Sequence, residues 1–259
     1  MILVLDIGNS QIYGGVFDDD KLVLQFRRAT RAENTSDEFG LFCRQVLREN
    51  DVDPAAITAV AICSVVPDMV HSVRNASMKY FGLRPFLLEP GVRTGLKIRY
   101  RNPLEVGSDR IAGAIAAAKL FPGRNAIIVD FGTATTIDAL TEERDYLGGV
   151  ILPGLRLAME SLDARTARLP KVEIRKPPEL LGRSTVESIQ AGLYHGNIAI
   201  LRHLCSEVRT QYFLGKPTTL IGTGGFARLF EDEQVFDAHV PELVLIGLRE
   251  ALRLNSQDG

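Results

Sequence analysis

The sequence LVLDIGNS (residues 3–10) is repeated in outline by IVDFGTATT (residues 128–136). Each copy is an apolar, β-branched run that ends in an aspartate, Asp6 or Asp130, with a glycine two residues later. Small hydroxyl or amide residues come next, and an alternating apolar pattern then resumes. This order predicts a strand, a tight turn and a second strand. Because the unit occurs twice, the chain is predicted to contain two similar half-domains.

The chemistry of the two turns suggests phosphate binding. A glycine lets a phosphate approach backbone N–H groups closely, and the aspartate can hold a hydrated metal or another cation. An Asp-x-Gly sequence is also an ordinary hairpin turn, which is the simpler interpretation of a single copy. Two copies, each flanked by strands, instead favour a nucleoside triphosphate held between the half-domains.

The composition is that of a globular protein of about two domains. The chain has 259 residues, of which 46% are hydrophobic and 24% charged. A net charge of −2 provides no general attraction for nucleic acid, and the arginines at 27–28 and 99–101 are interpreted mainly as solvated surface. Cys43, Cys63 and Cys205 lack C-x-x-C spacing, so they are predicted to be buried thiols in a reducing compartment.

The sequence predicts neither a signal peptide nor a membrane partner. The apolar start, residues 1–5, is interrupted by Asp6, and no apolar run approaches the ~20 residues of a membrane span. A cytoplasmic enzyme is therefore expected.

The pattern of elements predicts an α/β fold with two ribonuclease-H-like half-domains and mixed sheets. The break at Pro122-Gly123 places the domains at residues 1–121 and 122–259. Thr35 with Glu38, and Ser184 with Glu187, predict capping boxes. Strands are predicted at 2–7, 11–17, 21–28, 57–63, 85–88, three between 125 and 150, and 218–221, and helices at 36–50, 67–81, 111–120, 155–163, 184–212 and 241–254.

Two further segments carry candidate chemistry. The sequence GTGG (residues 222–225) follows a predicted strand and suits either a phosphate or nucleoside site or a tight strand-to-helix turn. In GSDR (residues 107–110), Asp109 could be a first-turn acid that favours the helix dipole, or the acceptor of a hydroxyl proton in phosphoryl transfer. Arg110 beside it could pair with a substrate carboxylate.

Taken together, these motifs resemble the type III pantothenate kinases of the acetate and sugar kinase, heat-shock ATPase and actin superfamily. The matching segments occur in the family's order along nearly the whole chain. They are LDIGNS (5–10), KIRYRNP (97–103), GSDR (107–110), VDFGTATT (129–136), GGVILPG (148–154), GRSTVESIQAG (182–192) and IGTGGFA (221–227).

The resemblance implies a kinase that phosphorylates the primary hydroxyl of pantothenate with ATP and Mg²⁺. It implies Asp109 as proton acceptor, Asp130 as ligand of a monovalent cation (K⁺ or NH₄⁺), and Asp6 near magnesium. Ser108 stands where many members carry alanine. The implied ATP-binding residues are Asp6, Ile7, Gly8, Asn9, Ser10, Gln11, Ile12, Tyr13 and Thr133. The implied pantothenate-binding residues are Tyr100, Gly107, Ser108, Asp109, Arg110 and Thr185.

The resemblance also implies a homodimer that pairs through the second half and shares the pantothenate pocket. The predicted helix at 184–212 carries Ile189, Leu193, Ile198, Leu201 and Leu204, which suits a partner surface. The alternative is that this helix is buried within its own domain. Two other functions stay open: a kinase or phosphatase of the same superfamily acting on a sugar or acetate, and a non-enzymatic regulator with the same fold.

Overall fold

The computed structural model describes residues 1–31, 33–165 and 169–256. The strands are β1 (Ile2–Ile7), β2 (Gln11–Asp18), β3 (Lys21–Ala29), β4 (Ala59–Ser64), β5 (Phe86–Leu87), β6 (Lys97–Ile98), β7 (Asn125–Phe131), β8 (Ala134–Leu140), β9 (Asp145–Pro153), β10 (Thr218–Gly224) and β11 (Ala238–His239). The helices are α1 (Ser36–Glu49), α2 (Pro67–Phe81), α3 (Ser108–Leu120), α4 (Leu155–Arg165), α5 (Thr185–Gln211) and α6 (Leu243–Ser256). The short strands β6 and β11 were not predicted from the sequence.

The strand order confirms the internal repeat. One sheet runs β3-β2-β1-β4-β5, and the other runs β11-β10-β7-β8-β9-β6. β1 is antiparallel to β2 and parallel to β4, and β7 is antiparallel to β8 and parallel to β10. Both sheets are therefore mixed and share one order, to which the second adds β6 at its edge.

The chain forms two compact units that are not continuous in sequence. The first contains Met1–Leu96, Arg101–Ala116 and α6, and the second contains Lys97–Tyr100 and Ala117–Glu242. The predicted division after residue 121 was based on where the second copy of the repeat begins, whereas these units are defined by which segments pack together. In the first unit α6 packs so closely on α3 that a Cβ on Gly247 would overlap the backbone of Ala112.

The core of the first unit lies under one face of its sheet. Leu3, Leu5 and Ile7 alternate along β1, and all three are almost fully buried. They pack with apolar residues of α1 and α2, including Phe39 and Met69. Because side chains alternate along a strand, Asp6 lies on the opposite face of the sheet.

The core of the second unit decides between two interpretations of α5. Ile189, Leu193, Ile198 and Leu201 are between 1% and 7% exposed and belong to the core cluster of this unit. Leu204 is partly buried against the same cluster. Of the two interpretations of these residues, a dimer surface or burial within their own domain, the structure shows the second, because the helix uses this face for its own core.

Of the two predicted capping boxes, one forms completely and the other forms only in part. At α1, Thr35 and Glu38 form the complete capping box. At α5, Ser184 accepts the N–H of Glu187, but the Glu187 carboxylate accepts the N–H of Arg183 at 2.7 Å and not that of the cap residue. In the described residues, no helix has the length and apolar character needed to cross a bilayer.

Candidate active site

The turn between β1 and β2 is held in place by the end of β3. The N–H of Gly8 donates to the carbonyl of Gln11 at 3.0 Å. The Thr30 hydroxyl donates to the carbonyl of Gly8 at 2.6 Å, and the Thr30 N–H donates to the carbonyl of Ser10 at 3.0 Å. Asn9 and Ser10 remain exposed. The first predicted phosphate-binding turn is thus an anchored loop with its tip open to solvent.

Asp6 lies at the end of β1, paired in register with Cys63 on the parallel strand β4. The Cys63 thiol donates to Asp6 Oδ1 at 3.3 Å. Burial and the negative charge of Asp109 raise the pKa of Asp6 to about 7, while the Cys63 hydrogen bond and the charge of Arg27 act in the opposite direction. A bound cation would favour the ionised form of this carboxylate.

Asp109 lies in the first turn of α3 and is fixed by its motif neighbours. Its Oδ1 accepts the backbone N–H of Arg110 at 2.8 Å. A Cβ on Gly107 would lie 2.5 Å from the same oxygen, so a larger residue there would require the carboxylate to move. Because its charge acts on Asp6, Asp109 is close to the metal-site candidate within the first unit.

Ser108 joins the start of α3 to the end of β4. Its hydroxyl donates to the Ser64 carbonyl and accepts the Ser64 N–H, both at 3.1 Å. The one proton of this hydroxyl is therefore used inside the protein. The extra hydroxyl at this position positions the helix that carries Asp109.

Sequence reasoning missed Cys63 and Ser64 as residues of this site. The sequence feature that could have indicated them is the end of the buried strand β4, where Cys-Ser comes just before Val65-Val66-Pro67. Their place beside Asp6 depends on the parallel pairing of β4 with β1, which joins segments far apart in the sequence.

The second hairpin repeats the arrangement within the second unit. The Gly132 N–H donates to the Ala134 carbonyl at 3.0 Å, and the Gly154 N–H donates to the carbonyl of the exposed Thr133 at 3.1 Å. Asp130, the second-last residue of β7, lies just before this turn and is half-buried.

The GTGG segment brings a glycine against this hairpin. β10 runs parallel to β7, with Thr223 opposite Asp130. Gly224 has φ +87°, and a Cβ there would collide with Asp130 Oδ1. The segment is therefore a tight turn between β10 and the 3₁₀ helix Ala227–Glu233, and nucleotide binding by its backbone stays a prediction.

Tyr100 and Thr185, both in the second unit, are not joined to each other by a hydrogen bond among the described residues. Tyr100 is half-buried, and its ring lies against Gly148, where a Cβ would be 3.2 Å from two ring carbons. Thr185 is the first residue of α5, as the cap at Ser184 predicted, and it is exposed. Their roles in binding pantothenate stay predictions.

The few carboxylates of the site suit cations whose other ligands come from a bound nucleotide and water. Among the described residues, no group of three or more His, Cys, Asp or Glu side chains is arranged to hold a metal ion. Mg²⁺ typically needs only one or two carboxylates when phosphates and water complete its shell, which suits the single carboxylate of Asp6. Asp130, whose oxygen lies beside the backbone of Gly224, offers a separate carboxylate in the second unit.

Two copies of one mixed sheet, each with an Asp-x-Gly hairpin, define the class of actin-like ATPases and sugar kinases. The fold is similar to the solved structure of a conserved putative Baf family transcriptional activator from Campylobacter jejuni, with TM-score 0.61, 21% identity and 98% of each chain covered. It is also similar to a putative 2-dehydro-3-deoxygalactonokinase from Sinorhizobium meliloti, with TM-score 0.59, 14% identity and 100% and 98% of the two chains covered. At these identities the likeness establishes the fold.

Sequence comparison identifies the family. The family model for type III pantothenate kinase matches residues 2–207. The type III pantothenate kinase of Legionella pneumophila (strain Corby) is 52% identical over 256 residues, covering 99% of this chain and 100% of the relative. That of Elusimicrobium minutum is 46% identical over 255 residues, covering 98% and 99%. The chain belongs to the type III pantothenate kinase family, and it is therefore an ATP-dependent kinase of coenzyme A biosynthesis that uses a divalent metal.

Proposed function

We propose that the chain transfers the γ-phosphoryl group of ATP to the primary hydroxyl of pantothenate, giving 4'-phosphopantothenate and ADP, with Asp109 as the proton acceptor. The observation that carries this assignment is the placement of Asp109. The N–H of Arg110 donates to its carboxylate at the start of α3, and Ser108 ties that helix start to Ser64. From this position the charge of Asp109 acts on Asp6.

Phosphoryl transfer depends more on positioning and charge neutralisation than on a strong base. In this proposal, the turn within residues 6–13 binds the phosphates, and Asp6 would hold magnesium directly or through water. The metal neutralises phosphate charge when bound. Asp109 accepts the proton of the attacking hydroxyl as the new bond to phosphorus forms.

The acceptor is proposed to contact Tyr100, Gly107, Arg110 and Thr185. Arg110 would pair with the pantothenate carboxylate, because a guanidinium binds a carboxylate through two parallel hydrogen bonds. Ser108 has its hydroxyl proton committed to Ser64, so its part is to position α3 and to offer backbone or acceptor contacts. Thr133 is proposed to contact ATP.

Asp130 is proposed to bind K⁺ or NH₄⁺ near the nucleotide. Several carboxylates around a polyanion would repel it, and bound cations reverse that effect. A homodimer is also proposed from the resemblance to the family, and a cytoplasmic location from the three free cysteines, which suit a reducing compartment.

The test is ADP release from ATP in the presence of pantothenate, Mg²⁺ and either K⁺, NH₄⁺ or Na⁺. We expect turnover with pantothenate, faster in K⁺ or NH₄⁺ than in Na⁺, and loss of that difference in Asp130→Ala. Glucose and acetate serve as alternative acceptors. Turnover with either of them but not with pantothenate would contradict the acceptor assignment, and equal rates in Na⁺ and K⁺ would contradict the role of Asp130.

A further inference from the structure

Arg27 lies in a row of side chains that crosses the first sheet. In the strand register, Tyr13 pairs with both Asp6 and Arg27, and Cys63 pairs with Asp6 on its other side. Residues paired directly across neighbouring strands project from the same face of a sheet. Arg27 therefore shares the face of Asp6, two strands away from it.

The ring of Tyr13 supports the Arg27 guanidinium. The guanidinium carbon lies 3.8 Å from the ring centroid, within the range of a cation–π contact. Tyr13 is only 7% exposed, and its hydroxyl donates to Gln25 Oε1 at 2.6 Å. A buried and tethered ring restricts where the charged group can go.

The N–H groups of Arg27 have no acceptor among the described residues. Arg27 is exposed, and its contacts there are the stack on Tyr13 and a longer-range attraction to the Asp6 carboxylate. A guanidinium carries five donors in a planar fork, which matches the oxygens of a phosphate. The geometry thus presents an anion-binding group that the protein itself leaves unused.

The position of Arg27 along β3 places it close to the anchored turn. Thr30, three residues later, forms the hydrogen bonds to Gly8 and Ser10 that hold the turn. We propose that Arg27 binds phosphate oxygens of ATP and offsets the negative charge carried by the transferred phosphoryl group. This inference rests on the proposed ATP site at residues 6–13.

Arg28 provides a matched control on the next residue. It pairs with the core residue Ile12, on the other face of the sheet. Its guanidinium lies 4.5 Å from the ring centroid of Phe42 and donates to Asn34 Oδ1 at 3.3 Å. Arg28 therefore has a structural role, while its charge and its stack on an aromatic ring resemble those of Arg27.

The experiment compares Arg27→Met, Arg27→Lys and Arg28→Met with the wild-type chain. Methionine keeps a flexible side chain over the Tyr13 ring but removes the charge, and lysine keeps the charge but loses the planar fork. We measure kcat and KM for ATP, the Kd of ADP by calorimetry, and the midpoint of thermal unfolding.

We expect Arg27→Met to lower kcat/KM for ATP by ~10²-fold, as removal of one group that stabilises transition-state charge typically does. ADP binding should weaken as well, and Arg27→Lys should recover part of both losses. Arg28→Met should lower the unfolding midpoint and leave the kinetic constants within about threefold of wild type.

Three results would overturn the proposal. They are wild-type kinetics in Arg27→Met, equal kinetic losses in Arg27→Met and Arg28→Met, and no recovery with lysine. The measurement of ADP binding separates this proposal from the acceptor assignment. If the wild-type chain fails to use pantothenate while Arg27→Met still weakens ADP binding, the acceptor is wrong and the role of Arg27 stands.

Discussion

At the scale of single residues, Asp109 and Asp6 are neighbouring carboxylates with different surroundings. Asp109 is half-buried and accepts a backbone N–H, whereas Asp6 is held beside a buried thiol with its pKa raised to about 7. An oxygen fixed at a helix start suits a proton acceptor, and a carboxylate that favours a neighbouring cation suits a metal site.

Asp109→Asn is expected to lower kcat by ~10²–10⁴-fold, because the amide cannot accept the proton of the attacking hydroxyl. The matched control is Asp68→Asn, which changes the exposed first-turn acid of α2. Circular dichroism and the unfolding midpoint should show that both variants fold. Wild-type turnover in a folded Asp109→Asn variant would remove Asp109 from the mechanism.

The raised pKa of Asp6 predicts a pH dependence of stability in the absence of metal and nucleotide. Its value of about 7 lies above the ordinary 3.8, so the folded state binds this proton more tightly than the unfolded state does. The resulting contribution to the free energy of unfolding is complete below the ordinary value and is lost as the pH rises through about 7.

Asp6→Asn removes this titration, because the amide is neutral at every pH. The unfolding midpoint of the variant, relative to wild type, should therefore rise from about pH 4 to about pH 7 and stay level above that, and activity should be lost. The measurement is thermal unfolding with a chelator present. A difference that stays constant over this range would show that burial does not disfavour the Asp6 charge.

At the scale of elements, a glycine at the end of β10 leaves the space that the Asp130 carboxylate occupies. Gly224 ends β10 with φ +87°, and the space where its Cβ would lie is occupied by Asp130 Oδ1 and the Phe131 backbone. Gly196, inside α5, has nothing within 4 Å of an added Cβ. Glycine is required at the first position and is replaceable at the second.

Gly224→Ala should therefore displace Asp130, lower stability and remove most of the activation by K⁺. Gly196→Ala should leave turnover unchanged and raise the free energy of unfolding by up to about 1 kcal/mol, because glycine is a poor helix former. Denaturant unfolding and turnover in K⁺ and Na⁺ measure both effects. Undiminished K⁺ activation in Gly224→Ala would contradict the cation site beside it.

At the scale of the whole molecule, the burial of the apolar face of α5 moves the proposed dimer surface to other residues. Leu180 and Leu181, just before α5, are 66% and 80% exposed, and Val186 and Ile200 on the helix are each 41% exposed. Leu157 and Leu162 of α4 are also exposed. Exposed apolar residues of this kind are typical of a partner surface.

The chain should therefore sediment as a dimer at micromolar concentration, since a two-fold interface is the commonest closed assembly. Leu181→Glu should weaken the dimer and, if the pocket is shared, raise KM for pantothenate. The control is Leu214→Glu, at the other end of α5, where the leucine is also 80% exposed. A fully active monomeric wild-type chain would contradict the dimer and the shared pocket.

Local features of the fold follow from the sequence alone. The two hairpins, the three strands at the start of each half and the capping box at Thr35 follow from patterns of a few adjacent residues, and the structure confirms them. The motif GSDR likewise predicted a helix start, because an acid in the first turn favours the helix dipole, and α3 begins at Ser108 with Asp109 in that turn.

Which distant segments become neighbours depends on the packing of the whole chain. Cys63 and Arg27 reach the surroundings of Asp6 through strand pairing, and the apolar face of α5 became a core because the second sheet covers it. α6 packs with the first unit although it ends the chain. Hydrophobic periodicity shows that a face will be buried, but burial is non-directional, so the partner of that face is fixed only when distant segments pack together.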